Sequence, residues 1–538
     1  MASDDFHVFD TTLRDGAQRE GITYSVADKL AVARLLDQLG VGFIEGGWPG
    51  ALPKDTEFFA RAAAGELHLE HAVLVAFGAT RKAGVRVEED SQVRALLDSQ
   101  ASVVTLVAKS DVRHVERALR TTLDENLAMV RDTVALLRSE GRRVFVDCEH
   151  FFDGYRYDRD YGVRVLDAAA RAGADVGVLC DTNGGMLPMG VHDVVSDVSR
   201  RAGIRLGIHT QDDTGCAVAN TLAAVDAGAT HVQGTANGYG ERAGNADIFS
   251  VIGGLVTKMG RDVLPEGCLA EMVRVAHAIA EIANLAPDTH APYVGSSAFA
   301  HKAGLHASAI KVDPELYNHL DPAVVGNDQR ILVTEMAGRA SVELKSRELG
   351  VDVSGRPDVV GAVVEQVKER EANGWSYEAA DASFELLLRD ELAGADRYAP
   401  FTVESYRVIM DRREDRTLVT EATVKVRAAG RRVISTEEGN GPVNALDRAL
   451  RSALEGIYPQ LSRIELTDYK VRIMPGRHGT DAVTRVLIET SDHEREWTTV
   501  GVHGNVIEAS WLALHDAVRY GLLNSSGAHW PRMRSSRV

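Results

Sequence analysis

Eight short runs of β-branched and aromatic residues, separated by longer amphipathic stretches, fill roughly the first 285 residues. This alternation is the signature of βα units on a parallel sheet. The runs are Phe6–Asp10, Phe43–Gly47, Ala72–Phe77, Ser102–Val107, Arg143–Cys148, Val176–Asp181, Arg205–Thr210 and His231–Thr235. Eight such units in about 250 residues are what a TIM (β/α)8 barrel requires, whereas an open doubly wound sheet rarely repeats so regularly. Between the runs, Ser25 to Leu39 opens on a serine cap, carries Asp28 in its first turn and sets Leu30, Ala33, Leu36 and Leu39 along one face. That is a helix pattern, and Leu123–Leu137 and Tyr161–Ala172 share it.

Beyond Pro287 the texture changes to helical stretches broken by Gly and Pro, and after Ala399-Pro400 it changes again. Phe401–Met410, Glu421–Ala428, Thr467–Ile473 and Thr484–Ser491 alternate apolar and polar residues as half-buried strands do. Helical patterns over Val443–Leu454 and Ile507–Tyr520 are interleaved with them. The expected fold is therefore α/β: a TIM barrel over residues 1–286, a helical linker over 287–398, an α+β regulatory or dimerising domain over 399–524, and a flexible tail over 525–538. A length of 538 residues is consistent with two or three domains.

The formal net charge of −18 argues against a nucleic-acid or anionic-membrane partner. The acidic start Met1-Ala2-Ser3-Asp4-Asp5 has no apolar core of a signal peptide, and no run reaches the ~18 apolar residues of a membrane span. Cys148, Cys180, Cys216 and Cys268 are far apart and form no CxxC pair, which reads as buried free thiols of a cytoplasmic protein.

In a TIM barrel the catalytic side chains stand at the C-terminal strand ends. There this chain places Arg14 and Asp15 after the first run, Glu45 in the second, Asp147, Glu149 and His150 at the fifth, Asp181, Thr182 and Asn183 at the sixth, and His209, Gln211, Asp212 and Asp213 at the seventh. Arg beside a carboxylate suits a metal-chelated keto acid: Asp offers a hard oxygen ligand and Arg neutralises oxygen charge. His209 and Gln211, two apart on a strand, face the same way. With Asp15 and Asn245 they could ring one divalent cation, and such a mixed N/O set suits Mn²⁺, Mg²⁺, Co²⁺ or Zn²⁺ without choosing among them.

Asp10-Thr11-Thr12-Leu13-Arg14-Asp15-Gly16 resembles the signature that opens the DRE-TIM metallolyases, and the stretch from Gly234 to Asn245 resembles the second signature of their synthase branch. Glu45 to Gly50, Glu149 to Gly154, Cys180 to Gly185 and Gly295 to His306 resemble the citramalate-forming members, and Glu438 to Asp447 resembles the LeuA-type allosteric domain. The resemblance implies a Claisen-type condensation of acetyl-CoA with a 2-oxo acid, pyruvate in that branch, on a divalent cation held by Asp15, His209 and position 211 with Asn245 near it. It implies that Arg14 stabilises the developing alkoxide, that Thr182 bonds the substrate carboxylate, and that Glu149, His306 and Tyr317 are catalytic. It also implies a homodimer or higher homo-oligomer, with connector residues reaching the partner's barrel, and isoleucine as effector.

One departure stands out. The family pattern at the seventh strand is His-x-His-Asn-Asp, and this chain reads His209-Thr210-Gln211-Asp212-Asp213. An amide oxygen is a harder donor than imidazole, which tilts the site towards Mn²⁺ or Mg²⁺ over Co²⁺ or Zn²⁺. Asp212 could compensate, directly or from behind the ligands. The remaining alternatives are a sister 2-isopropylmalate or homocitrate-type synthase with another acceptor, a lyase running the reverse direction, and a catalytically impaired relative that senses an amino acid.

Overall fold

The computed structural model describes residues 5–397, 399–474 and 482–525. Residues 1–4 of the acidic start, and the expected tail beyond Ser525, lie outside the described residues. The chain forms two compact units, one running to Phe299 and taking in His319–Asp328, the other holding Ala300–Asn318 and everything from Gln329 on.

The first unit is a closed parallel barrel in sequential order: β1 (His7–Asp10), β2 (Phe43–Gly47), β3 (Val73–Ala79), β4 (Val103–Lys109), β5 (Arg143–Glu149), β6 (Val176–Asp181), β7 (Arg205–Thr210) and β8 (His231–Gly234). Closure comes from β1 pairing with β8, His7 opposite His231 and Asp10 opposite Gly234. Every expected strand is present, with ends displaced by two residues at most. Phe9, Phe43, Val75, Val103, Phe145, Val176, Val178 and Cys180 fill the middle of the barrel. The first helix, α1 (Val26–Leu39), starts where expected: Ser25 Oγ accepts the Asp28 N–H and the Asp28 carboxylate accepts the Ser25 N–H. Gly40 ends it at φ 85°. The helix expected from Tyr161 begins at Arg159, because Asp158 caps it.

In the second unit, helices Gly304–Val312, Arg339–Glu348, Pro357–Ala372 and Asp381–Ala393 form the connector. The domain that follows has two antiparallel three-stranded sheets. The first is β9 (Phe401–Arg412), β10 (Leu418–Ala428) and β11 (Arg431–Gly439); the second is β12 (Glu465–Ile473), β13 (Thr484–Ser491) and β14 (Glu496–His503). Helices Pro442–Leu454 and Val506–Asn524 cover them, burying Leu446, Leu450, Trp511 and Leu514. Two strands, β11 and β14, go beyond the sequence reading. Ala429-Gly430, both at positive φ, makes the two-residue turn into β11 without the Asn-Gly signal that usually marks it.

No helix among the described residues is long and apolar enough to cross a membrane. All four cysteines are free, but only Cys148 and Cys180 are buried; Cys216 and Cys268 are half-exposed.

One connector contact has a pH signature. Glu371 accepts the backbone N–H of Glu335 at 2.6 Å, and burial together with the Glu335 side chain pushes its carboxyl up to about 7. A raised carboxyl pKa favours the protonated folded state, so this contribution is full below the ordinary Glu value of 4.5 and is lost as pH rises through about 7. Glu371→Gln is expected to raise the melting temperature relative to the parent at pH 8 and not at pH 4.5. An equal effect at both pH values in parallel thermal melts would refute this.

Candidate active site

The turn after β1 is fixed before any ligand arrives. Asp10 accepts the N–H and the hydroxyl of Thr12, each at 2.8 Å, and Thr12 Oγ1 accepts the Ala236 N–H at 2.7 Å. The segment that carries Arg14 and Asp15 is thereby tied to the loop that follows β8. Burial pushes the Asp10 carboxyl up to about 7 against the pull of Thr12.

Arg14 donates through Nε to Glu45 Oε2 at 2.6 Å, its Nη1 lies 3.6 Å from Asp15 Oδ2, and its guanidinium carbon sits 3.9 Å above the centre of the Phe77 ring. Trp48 packs edge-on to Phe77 at 5.2 Å. Burial disfavours the Arg14 charge, but Glu45, Asp15 and Asp147 outweigh it and keep the guanidinium firmly protonated. Burial pushes Glu45 up to about 7 even with Arg14 beside it.

Asp15 is the meeting point. His209 Nε2 lies 3.3 Å from its Oδ2, and the Gln211 amide nitrogen lies 3.4 Å from the same oxygen, 3.3 Å from His209 Nε2 and 3.1 Å from Asn245 Oδ1. All four side chains are buried. Burial alone would raise the Asp15 carboxyl; Arg14 and His209 more than offset it and hold it well below the ordinary range. From beneath, Gln233 spans His209 Nδ1 and Asp147 Oδ1, each at 2.9 Å.

The four sequence-assigned ligands, Asp15, His209, Gln211 and Asn245, are therefore brought together. Their fit to a cation rests on Gln211, whose Oε1 is buried and takes no hydrogen bond. The two ends of a carboxamide exchange by a half-turn of the group, and that turn aims the orphaned oxygen at Asp15, His209 and Asn245. Among the described residues, no three His, Cys, Asp or Glu side chains gather as a metal cluster. A cation here would be held by one carboxylate, one imidazole and amide oxygens, a hard set suited to Mn²⁺ or Mg²⁺.

Asp212 does not join them through the oxygen whose partner is resolved. Its Oδ1 accepts the Ala217 N–H at 2.8 Å, at the start of the helix Ala217–Asp226, and its backbone N–H goes to Gly244. Asp213 is clamped by Arg242 at 2.8 and 2.9 Å, and Arg242 also donates to the Thr182 carbonyl at 2.9 Å. This one guanidinium thus joins the loops after β6, β7 and β8.

Thr182 Oγ1 accepts the His150 N–H at 2.8 Å, which leaves its hydroxyl proton available to a ligand. Glu149 is ion-paired with Lys109. His306 and Tyr317 belong to the second unit, where their rings stack at 4.1 Å. Glu45, Asp147 and Gln233 complete the barrel set, and none was assigned a role from sequence. For Gln233 a signal existed: it alternates with His231 along β8, two polar residues on the inward face of a barrel that usually packs Val, Ile and Leu.

Residues 5–279 match the HMGL-like family, residues 293–374 the homocitrate synthase post-HMGL domain-like family, and residues 378–522 the LeuA allosteric (dimerisation) domain. The (R)-citramalate synthase of Streptomyces coelicolor is 67% identical over 526 residues, 98% of each chain. The (R)-citramalate synthase of Synechocystis sp. is 48% identical over 96% of each chain, and that of Aquifex aeolicus is 46% identical over 96% of this chain and 98% of its own. With its ring of polar side chains at the C-terminal end of the barrel and this similarity running nearly end to end, the chain belongs to the HMGL-like enzymes, within the (R)-citramalate synthase family.

Proposed function

We propose that this chain condenses acetyl-CoA with pyruvate and, with water, releases (R)-citramalate and CoA, in the service of isoleucine biosynthesis. The observation that carries the reading is the convergence of Arg14, Asp15, His209, Gln211 and Asn245 at one end of the barrel. Asp15, His209, Gln211 and Asn245 would hold a divalent cation, which would supply Lewis acidity at the acceptor ketone. Arg14 stays charged and supplies a fixed positive field where the acceptor oxygen becomes negative. Thr182 turns its hydroxyl to the acceptor carboxylate. An acetyl methyl is a weak acid, and Glu149 of one subunit's barrel, with His306 and Tyr317 supplied by a partner subunit, manages its proton.

Phe77 lies against the Arg14 guanidinium, and Trp48 packs on Phe77. The near end-to-end similarity to (R)-citramalate synthases supports pyruvate over 2-oxoisovalerate or 2-oxoglutarate. The LeuA-type segment supports a homo-oligomer whose residues 399–524 read isoleucine as end product. The absence among described residues of a membrane-spanning helix and the acidic charge are in keeping with a cytoplasmic enzyme.

The test is release of CoA thiol from acetyl-CoA with Mn²⁺ present, across pyruvate, 2-oxobutyrate, 2-oxoisovalerate and 2-oxoglutarate. Pyruvate is expected to give the highest kcat/KM, a chelator to abolish release, and isoleucine to inhibit where leucine does not. Fastest release with another acceptor would reassign the substrate, and no release with any acceptor would refute the reading.

A further inference from the structure

His209 can serve a cation only through a bare ring nitrogen, and the choice between its two nitrogens is made deeper in the barrel. Asp147 on β5 and Gln233 on β8 are both buried, 4% and 1% exposed. A carboxylate accepts hydrogen bonds, so Asp147 Oδ1 at 2.9 Å holds the NH₂ end of Gln233. The oxygen end of the same amide is then forced towards His209 Nδ1, also at 2.9 Å. An amide oxygen only accepts. Nδ1 therefore carries a ring proton, and Nε2, 3.3 Å from Asp15, is the nitrogen that a neutral ring leaves bare.

Each step depends on the one before it. If the carboxylate were neutral and able to donate, nothing would stop the amide from turning over. Its NH₂ group would then face Nδ1, and the ring proton would move to Nε2, where it would point at the ligand set.

We propose that Asp147 and Gln233 are positioning residues that lock His209 in its Nδ1–H tautomer and so hold Nε2 open for a divalent cation. This rests on the reading of His209 as a cation ligand. The pair acts through His209 and does not itself meet substrate.

The experiment is calorimetric titration of the metal-free, full-length protein with Mn²⁺, alongside thermal melts. Asp147→Ala removes the acceptor that holds the Gln233 NH₂ group, and is expected to weaken Mn²⁺ binding about 10–100-fold, the usual cost of losing a partner that orients a metal-bound histidine. Gln233→Leu removes the acceptor and is expected to do the same. Gln233→Glu keeps an oxygen facing Nδ1 and is expected to bind Mn²⁺ like the parent. Asp147→Ala and Gln233→Leu binding like the parent would overturn the proposal, and so would Gln233→Glu failing as badly as Gln233→Leu. Should Gln233→Leu not fold, Asp147→Ala decides alone. His209→Ala separates the two layers: undiminished Mn²⁺ binding in that variant would sink the ligand reading itself, and the tautomer lock with it.

Discussion

Replacing Arg14 with lysine is expected to lower kcat about 10²–10³-fold, the cost typical of removing one group aimed at a developing oxyanion. The charge survives this substitution; the geometry does not. The guanidinium meets Glu45 through Nε at 2.6 Å, approaches Asp15 through Nη1 at 3.6 Å and lies flat over Phe77 at 3.9 Å. An ammonium is a point charge with no planar face and no fork, so it cannot satisfy all three. Glu45 would be left buried with a poorer partner, and a carboxyl already raised to about 7 would keep its proton more readily. The measurement is steady-state kcat with saturating acetyl-CoA and acceptor, with Mn²⁺ binding as the control. A variant within tenfold of the parent would show that charge alone suffices and that the fork has no part in the chemistry.

The second large effect is on stability. Asp55→Ala is expected to destabilise the barrel by about 3–5 kcal/mol, because it strands a buried lysine. Lys29 on α1 and Asp55, in the helix Pro53–Arg61, form an ion pair with side chains only 1% and 3% exposed. Lys29 also donates to the Gly46 carbonyl at 2.9 Å, and Asp55 accepts the Trp48 N–H at 2.9 Å. The pair therefore clamps both sides of the segment that carries Glu45 towards Arg14. Gly47 shows how tightly: it sits at φ 140°, and a Cβ there would come within 2.5 Å of the Asp55 carboxylate carbon. Urea unfolding of the variant followed by tryptophan fluorescence measures the loss. A change under about 1 kcal/mol would place the pair with the surface ion pairs, which contribute little.

Parts of this molecule were legible in one dimension and parts were not. The barrel strands were legible because a parallel strand buried on both faces is a local, nearly continuous apolar run, as in Val144-Phe145-Val146 or Val178-Leu179. The edge strands β11 and β14 escaped because their residues, such as Ser435-Thr436-Glu437 and Thr498-Thr499, are polar enough to read as loop. Their strand character comes from pairing with β10 and β13. The candidate ligands were legible because they stand at strand ends, where a barrel collects its chemistry. Glu45 was visible at such an end, but nothing in the order of residues says that it faces Arg14, 31 positions away. Asp212 had looked like a compensating carboxylate for Gln211, and its resolved hydrogen bond goes to the Ala217 N–H instead.

By itself, then, the sequence determined the succession of elements, the closure implied by eight successive βα units, and the inventory of donors at one end of the barrel. These follow from periodicity and strand position, which are local properties of the chain. Only the tertiary structure decided which donors share a point. Gln211 meets Asp15 across 196 residues, and Gln233 meets Asp147 across 86. Those distances are set by the register in which β1, β5, β7 and β8 close on one another. Register is a property of paired strands, and a one-residue slip in any of them would turn its side chain from the inside of the barrel to the outside.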